Sequence, residues 1–539
     1  MDLIFTNGIV VTMDEALPVA EALAVRDGRI SAVGTADEIL ALRTADTEVV
    51  DLGGRAVLPG FVEAHGHPTM DMTRYAETVV DIRPVIVPDA DAVIALMRDT
   101  LADTPATVPL VFSGLDPLLQ SGFPEPTGPW LDELAGERPV LVMHNSGHLA
   151  WANTAALRLS GLPEDAPDPT GAHFERDADG KLTGKAYEVP AIFALAGPMQ
   201  SRDVDPAALW RAELQGLAAR GITTIADLAF SPHQLPLMRA HYAGDHPLVR
   251  LRTYEMSTAE MRSESSPDDG DDMFRQIGIK LWVDGSPWVG NIDTSFPYLN
   301  TDATLNVIGL GHDHRGQANY TGEQLAAIVG AYFPLGWQMA CHVLGDRGVD
   351  TILDVYEAAL TEHPRADHRL RLEHCGAMTA AQFRRAARLG VTCSLLIDHL
   401  YYWGDVLVDG LFGDEIGSHW MRARSALDAG IRVSLHNDSP VTPVEPLRNI
   451  SVAVTRTSRT GRVLAPEERI TVEEALRAQT LWPAHQLFAD EIIGTLAPGK
   501  YADLVVLSAD PRAVEPAAIA DLTVEATYLA GRATYSAGG

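Results

Sequence analysis

The chain has 539 residues, 46% hydrophobic and 21% charged. That balance excludes a disordered or fibrous protein and leaves room for a large core plus an accessory domain. With 41 Lys and Arg against 73 Asp and Glu, the formal net charge is -32, which repels phosphate backbones and anionic lipid and sets nucleic acid and membrane surfaces aside as partners.

Met1–Asp14 lacks the basic segment and small-residue cleavage site of a secretory signal, so a cytoplasmic protein is expected. No apolar run approaches the roughly 20 residues that span a bilayer. Leu3–Thr12, Ala22–Val25, Arg29–Val33 and Glu48–Asp51 read as short strands parted by turn signals such as Asn7-Gly8 and Asp27-Gly28. Asp503–Leu507 and Thr523–Leu529 repeat this texture at the far end. Together the two ends, 1–56 and 490–539, predict one small β-sandwich domain.

Between them, over 57–489, apolar β-type runs alternate with Ala- and Leu-rich helical stretches, the pattern of a parallel α/β sheet. Eight strands are predicted: Val57–His65, Ile222–Leu228, Val249–Met256, Ile277–Asp284, Gln338–Val343, Leu370–Cys375, Val391–Leu396 and Arg432–Asp438. Eight such units close a (β/α)₈ TIM barrel. Residues 68–215 fit no βα unit. Their strand candidates, Leu110–Ser113 and Pro139–His144, and the polar run Gly161–Gly184 are expected to form a long insertion after the first barrel strand, over the active face.

The sharpest motif is Glu63-Ala64-His65-Gly66-His67. Residues two apart on a strand share a face, so both imidazoles can converge on one metal ion at the catalytic end of a barrel strand. His342 and His374 each end a later strand. Alternation puts His342 on a face with Gln338 and Ala340, and His374 on a face with Leu370 and Leu372. The same rule turns the thiols of Cys341 and Cys375 away; with Cys393 they are the only cysteines, too scattered for a disulfide framework or a cysteine-rich zinc site. Lys280 faces inward beside Gly278 and Trp282, where a bare ammonium is costly unless paired or chemically altered. Ser434, His436 and Asp438 share one face of the last strand. Gly-rich phosphate loops and nucleophile elbows are absent.

These residues resemble the metal motifs of the amidohydrolase superfamily, and the chain as a whole is similar to its amidohydrolase 3, or YtcJ-like, branch. The resemblance implies His65 and His67 with Asp438 on one divalent ion and His342 with His374 on a second, zinc being the first choice. It also implies a carbamylated Lys280 bridging the two, and Asp438 as the catalytic residue that shuttles a proton. His436-Asn437-Asp438 departs from the usual Gly-Ser-Asp, which makes His436 a candidate substrate contact or a barrel filler. His148, Trp151 and Trp288 are further candidate substrate contacts, and Glu188 is a reserve ligand. The implied reaction is hydrolysis of a non-peptide C–N bond in an N-acyl or N-formyl amine, a cyclic amide or a carbamate by a metal-activated hydroxide. A mononuclear deaminase acting on a heterocycle is the runner-up, although Val343-Leu344-Gly345-Asp346 lacks the glutamate such enzymes carry. A catalytically silent scaffold is the alternative from another class. A small-molecule substrate and a homodimer are the expected partners.

Overall fold

A computed structural model describes residues 2–199, 205–244, 246–256, 263 and 265–538. Its centre is a parallel sheet of eight strands: β1 (Phe61–Gly66), β2 (Ile222–Phe230), β3 (Arg250–Met256), β4 (Phe274–Trp282), β5 (Gln338–Val343), β6 (Arg371–His374), β7 (Thr392–Leu395) and β8 (Val433–Leu435). Each pairs with the next in sequence order. β2 is buried along its whole length and β4 nearly so, as barrel strands covered on both faces must be. Between β8 and β1 the turn at 478–479 is wedged in. Leu435 N donates to Ala478 O at 3.0 Å and Val62 N to Gln479 O at 2.9 Å, so this gap is sealed by a loop in place of a ladder and the TIM barrel is nearly closed.

Alternation sorts the strand side chains. Ile279, Leu281, Val283, Met339, Cys341, Val343, Leu370 and Leu372 join the outer core beneath the helical ring. Val62, Tyr254, Ile277 and Ala340 meet Leu487 and Ile493 in the barrel floor. A buried side chain of the Leu or Ile kind contributes roughly 1.5–3 kcal/mol, so this inside–outside sorting also fixes the strand register.

The predicted strand Val57–His65 is two strands divided at Gly60. Ala56–Pro59 pairs with Leu504–Leu507 in an accessory sheet, while β1 enters the barrel. A Cβ at Gly60 would sit 2.2 Å from the Thr223 side chain, so only glycine lets the chain pass there. The accessory domain packs a four-stranded sheet from the N-terminal segment against a six-stranded sheet drawn from both ends of the chain. Leu3, Phe5, Leu23, Val57, Leu504 and Val506 lie between them.

Between β1 and β2 lies a six-stranded mixed sheet whose edge strands are Val79–Asp81 and His173–Arg176. Leu110–Leu115 and Val140–His144 pair in parallel within it; the four strands not predicted are short or broken by glycine. Arg83 Nη1 donates to Pro440 O at 3.0 Å and Asn145 Nδ2 to Val441 O at 3.0 Å, which ties this insertion to the loop after β8, over the barrel's C-terminal end. Among the described residues no helix is long and apolar enough to cross a membrane.

Candidate metal centre

The C-terminal ends of β1, β4, β5, β6 and β8, with the residues just past β1 and β8, bring their site side chains together in one buried cluster. The Nε2 atoms of His65 and His67 lie 3.2 and 3.1 Å from Asp438 Oδ1, yet Oδ1 is buried without a hydrogen bond of acceptable geometry. Three ligand atoms thus crowd around a shared point. A second convergent set is His65, His374 and His436. His374 and Asp438 reach the cluster through left-handed backbone, φ +71° and +55°, a conformation costly for non-glycine residues and characteristic of functional sites. This corrects the face expected for His374: Leu370 and Leu372 point outward, and the twist at His374 takes it out of register with them.

Hydrogen bonds set which nitrogen of each ring carries a lone pair. His65 Nδ1 donates to Glu373 Oε2 at 2.7 Å, leaving Nε2 toward Asp438. His342 Nε2 donates to the Gly285 carbonyl at 2.8 Å, leaving Nδ1 free. His374 Nε2 is buried with no partner. Burial above all, and then the mutual repulsion of neighbouring cations, holds His342, His374 and His436 well below the usual imidazole range. Burial raises the Asp438 carboxyl, but His65, His374 and His67 outweigh it and keep that group well below the carboxylate range. Neutral imidazoles around an ionised carboxylate, with orphaned ligand atoms between them, fit a divalent metal ion.

Lys280 is 1% exposed. Its Nζ lies 3.3 Å from His65 Nε2, and it forms no ion pair among the described residues. Burial lowers it to about 8, against the pull of Glu373 and Asp438. The neutral amine, more populated here than on an ordinary lysine, is the form that can attack CO₂.

Above the cluster the cavity has two lobes that share Ser146, His148, His342, Asp438 and Val441. One is lined by His67, Met70, Arg83, His144, Lys280 and Trp282. The other is lined by Pro287, Trp288, Leu344, Leu396 and His399. Trp288 stacks on Trp403 at 4.8 Å. His148 Nδ1 lies 2.6 Å from Glu188 Oε2, and Glu188 Oε1 accepts from Asn291 at 2.8 Å. Burial lowers His148, but Glu188 more than compensates, so it ends above its ordinary value.

Three sequence expectations land elsewhere. Glu188 stands behind His148 instead of among the metal-facing atoms. Trp151 packs with Leu110, Phe112 and Val140 in the insertion's core and does not line the cavity. His436 lies beneath the rim, stacked on His65 at 4.6 Å, with both nitrogens engaged by Ser394 and His374. Cys341 and Cys375 are buried in the outer core.

Sequence reasoning missed Glu373, which orients His65 and is itself held by Arg371, 2.8 Å away. The available signal was Arg371 and Glu373, two charges spaced two apart on an apolar barrel strand. It also missed Asp284, which accepts from the backbone of Leu344, Gly345 and Asp293 and is raised by burial to about 7. His399, which accepts from Trp420 at 3.2 Å, gave no signal at all.

Residues 48–535 match the amidohydrolase family. The chain is 30% identical to the N-substituted formamide deformylase of Arthrobacter pascens over 99% of this chain and 98% of that one. It is 25% identical to YtcJ of Bacillus subtilis over 99% of each. Among solved structures, a metal-dependent hydrolase of Pyrococcus horikoshii superposes with a TM-score of 0.73 at 21% identity, over 96% of this chain and 99% of that one. The cluster of histidines and aspartate at the C-terminal mouth of a parallel barrel and the match along nearly the whole chain agree: this protein belongs to the amidohydrolase family.

Proposed function

We propose that this amidohydrolase, a metal-dependent hydrolase of C–N bonds, cleaves the amide of an N-formyl or N-acyl amine, with cyclic amides and carbamates as neighbouring substrate classes. The observation that carries the reading is the convergence of His65 Nε2, His67 Nε2 and Asp438 Oδ1 beneath a cavity lined by His148 and Trp288. The similarity to N-substituted formamide deformylase supports the choice of substrate. A divalent ion in this donor set supplies Lewis acidity, and nitrogen and carboxylate donors suit zinc first.

The chain's own residues supply the rest. His65, His67 and Asp438 would hold one ion, and His342 and His374 would hold a second. Lys280, as a carbamate formed when its neutral Nζ attacks CO₂ and releases a proton, would add a carboxylate ligand to the site. Asp438 accepts a proton from water and returns it to the departing nitrogen. His148, held by Glu188, which Asn291 braces in turn, faces the substrate, and Trp288, Leu344 and Leu396 take an apolar substituent. The protein acts as a cytoplasmic homodimer, which light scattering tests for assembly.

The test is product release by zinc- or manganese-loaded protein, grown with bicarbonate, from N-formyl amines, N-acyl amino acids, lactams, carbamates and aminated heterocycles. Amine and carboxylate appearing together, and vanishing in His342→Ala, is the expected result. Ammonia from a heterocycle overturns it in favour of a deaminase. A ¹³C signal retained from labelled bicarbonate, and lost in Lys280→Arg, reports the carbamate.

A further inference from the structure

Below the metal-facing histidines runs a hydrogen-bond chain whose direction is set at its far end. Gln486 Nε2 donates to the carbonyl oxygens of Cys393 at 2.8 Å and Arg432 at 3.2 Å. Carbonyls only accept, so the amide cannot be reversed and Oε1 must be the atom facing Ser434 Oγ at 2.7 Å. Ser434 has one proton and gives it to Oε1. The angles of its 2.7 Å contact with Ser394 favour Ser434 as the donor there too, but one proton cannot serve two oxygens and the amide oxygen has none of its own, so the proton in this contact is that of Ser394. With that proton committed, Ser394 Oγ can only accept from His436 Nδ1, 2.7 Å away.

His436 therefore carries its proton on Nδ1 and offers a lone pair at Nε2 to His374 Nδ1, 3.2 Å distant. His374 Nδ1 is then the donor, and the lone pair of His374 sits on Nε2, the buried nitrogen that has no protein partner. Gln486, Ser434, Ser394 and His436 are all fully buried and His374 is 1% exposed, so bulk water does not compete for these bonds.

We propose that Gln486, Ser434, Ser394 and His436 form a directional relay that locks His374 in the Nδ1–H tautomer and leaves its lone pair on Nε2, the nitrogen that would be open to a metal ion. This rests on the metal-site reading above. His436 is then a positioning residue, neither a ligand nor a substrate contact, and its imidazole does for His374 what the Glu373 carboxylate does for His65. Such outer partners decide which ring nitrogen is available to a metal. Glycine at position 436 could not join Ser394 to His374.

The test is ¹⁵N–¹H multiple-bond correlation on metal-free protein carrying ring-labelled histidine, with His374→Gln and His436→Gln spectra for assignment. Both rings are expected as Nδ1–H tautomers in the wild type. Ser434→Ala frees the Ser394 proton to donate to His436 Nδ1, so both rings are expected to shift toward Nε2–H. Zinc affinity, read by chelator competition, then falls about 10–100-fold. Ser434→Thr keeps the hydroxyl and is expected to restore both readouts. An Nε2–H tautomer at His374 in the wild type overturns the proposal, and this result needs no variant to fold. So does a Ser434→Ala protein with unchanged tautomers and unchanged zinc affinity. The wild-type pattern found in a protein that cleaves no amide supports the relay and removes only the hydrolase reading.

Discussion

Replacing Glu373 by glutamine separates the two tasks of that carboxylate. It accepts from His65 Nδ1 at 2.7 Å and from Arg371 Nη2 at 2.9 Å on the same oxygen, with all three side chains fully buried. Glutamine keeps the shape and one acceptor but removes the charge. Weakened orientation of His65 is expected to lower zinc affinity about 10–100-fold, or about 1.4–2.8 kcal/mol. Arg371, left as a buried cation beside Lys280, is expected to destabilise the fold by about 3–5 kcal/mol. Chelator competition measures the first effect and calorimetric melting of the metal-free protein the second. The double variant Arg371→Met/Glu373→Leu divides them further: melting recovers because no buried charge is left alone, while zinc affinity stays low because His65 still lacks its acceptor. A Glu373→Gln protein that binds zinc within about twofold of wild type would refute the claim that this carboxylate orients His65.

Three further outcomes follow from the same geometry. Glu188→Gln and His148→Gln are each expected to lower kcat/KM by about 10²-fold with bound metal unchanged by elemental analysis; loss of metal in Glu188→Gln would return Glu188 to the ligand set. Burial pushes the Asp490 carboxyl up, but hydrogen bonds from His485 and Arg369 bring it below its ordinary value. A depressed folded-state value stabilises above the unfolded pKa of about 3.9 and is lost as pH falls through the folded one. Asp490→Asn should therefore cost about 1 kcal/mol at neutral pH, discounted for its partial exposure, and its melting gap to wild type should close toward about pH 3; a gap constant with pH contradicts this. Gly60→Ala forces a methyl against Thr223, and melting should report a loss of about 1–3 kcal/mol.

The local periodicities of the chain determined its elements. Eight apolar runs at βα spacing specify the barrel, and turn-separated strands at both ends specify the sandwich, because burial on one or both faces writes a period into the sequence that no partner is needed to read. His65, His67, His342 and Asp438 were legible for the same reason: each lies at or just past the end of an apolar strand, where a barrel places its chemistry. The tertiary structure alone decided what depends on atoms far apart in the chain. Glu373 meets His65 across 308 residues, and His148 meets a glutamate 40 residues on. Trp151 and His436 shared the outward marks of substrate contacts, yet one packs in the insertion's core and the other lies beneath the rim. His374 left its expected face because a left-handed residue breaks the two-residue period. Alternation tells which way a side chain leaves its own strand, whereas the partner it meets, and the ring nitrogen that partner protonates, are set by the closure of the barrel.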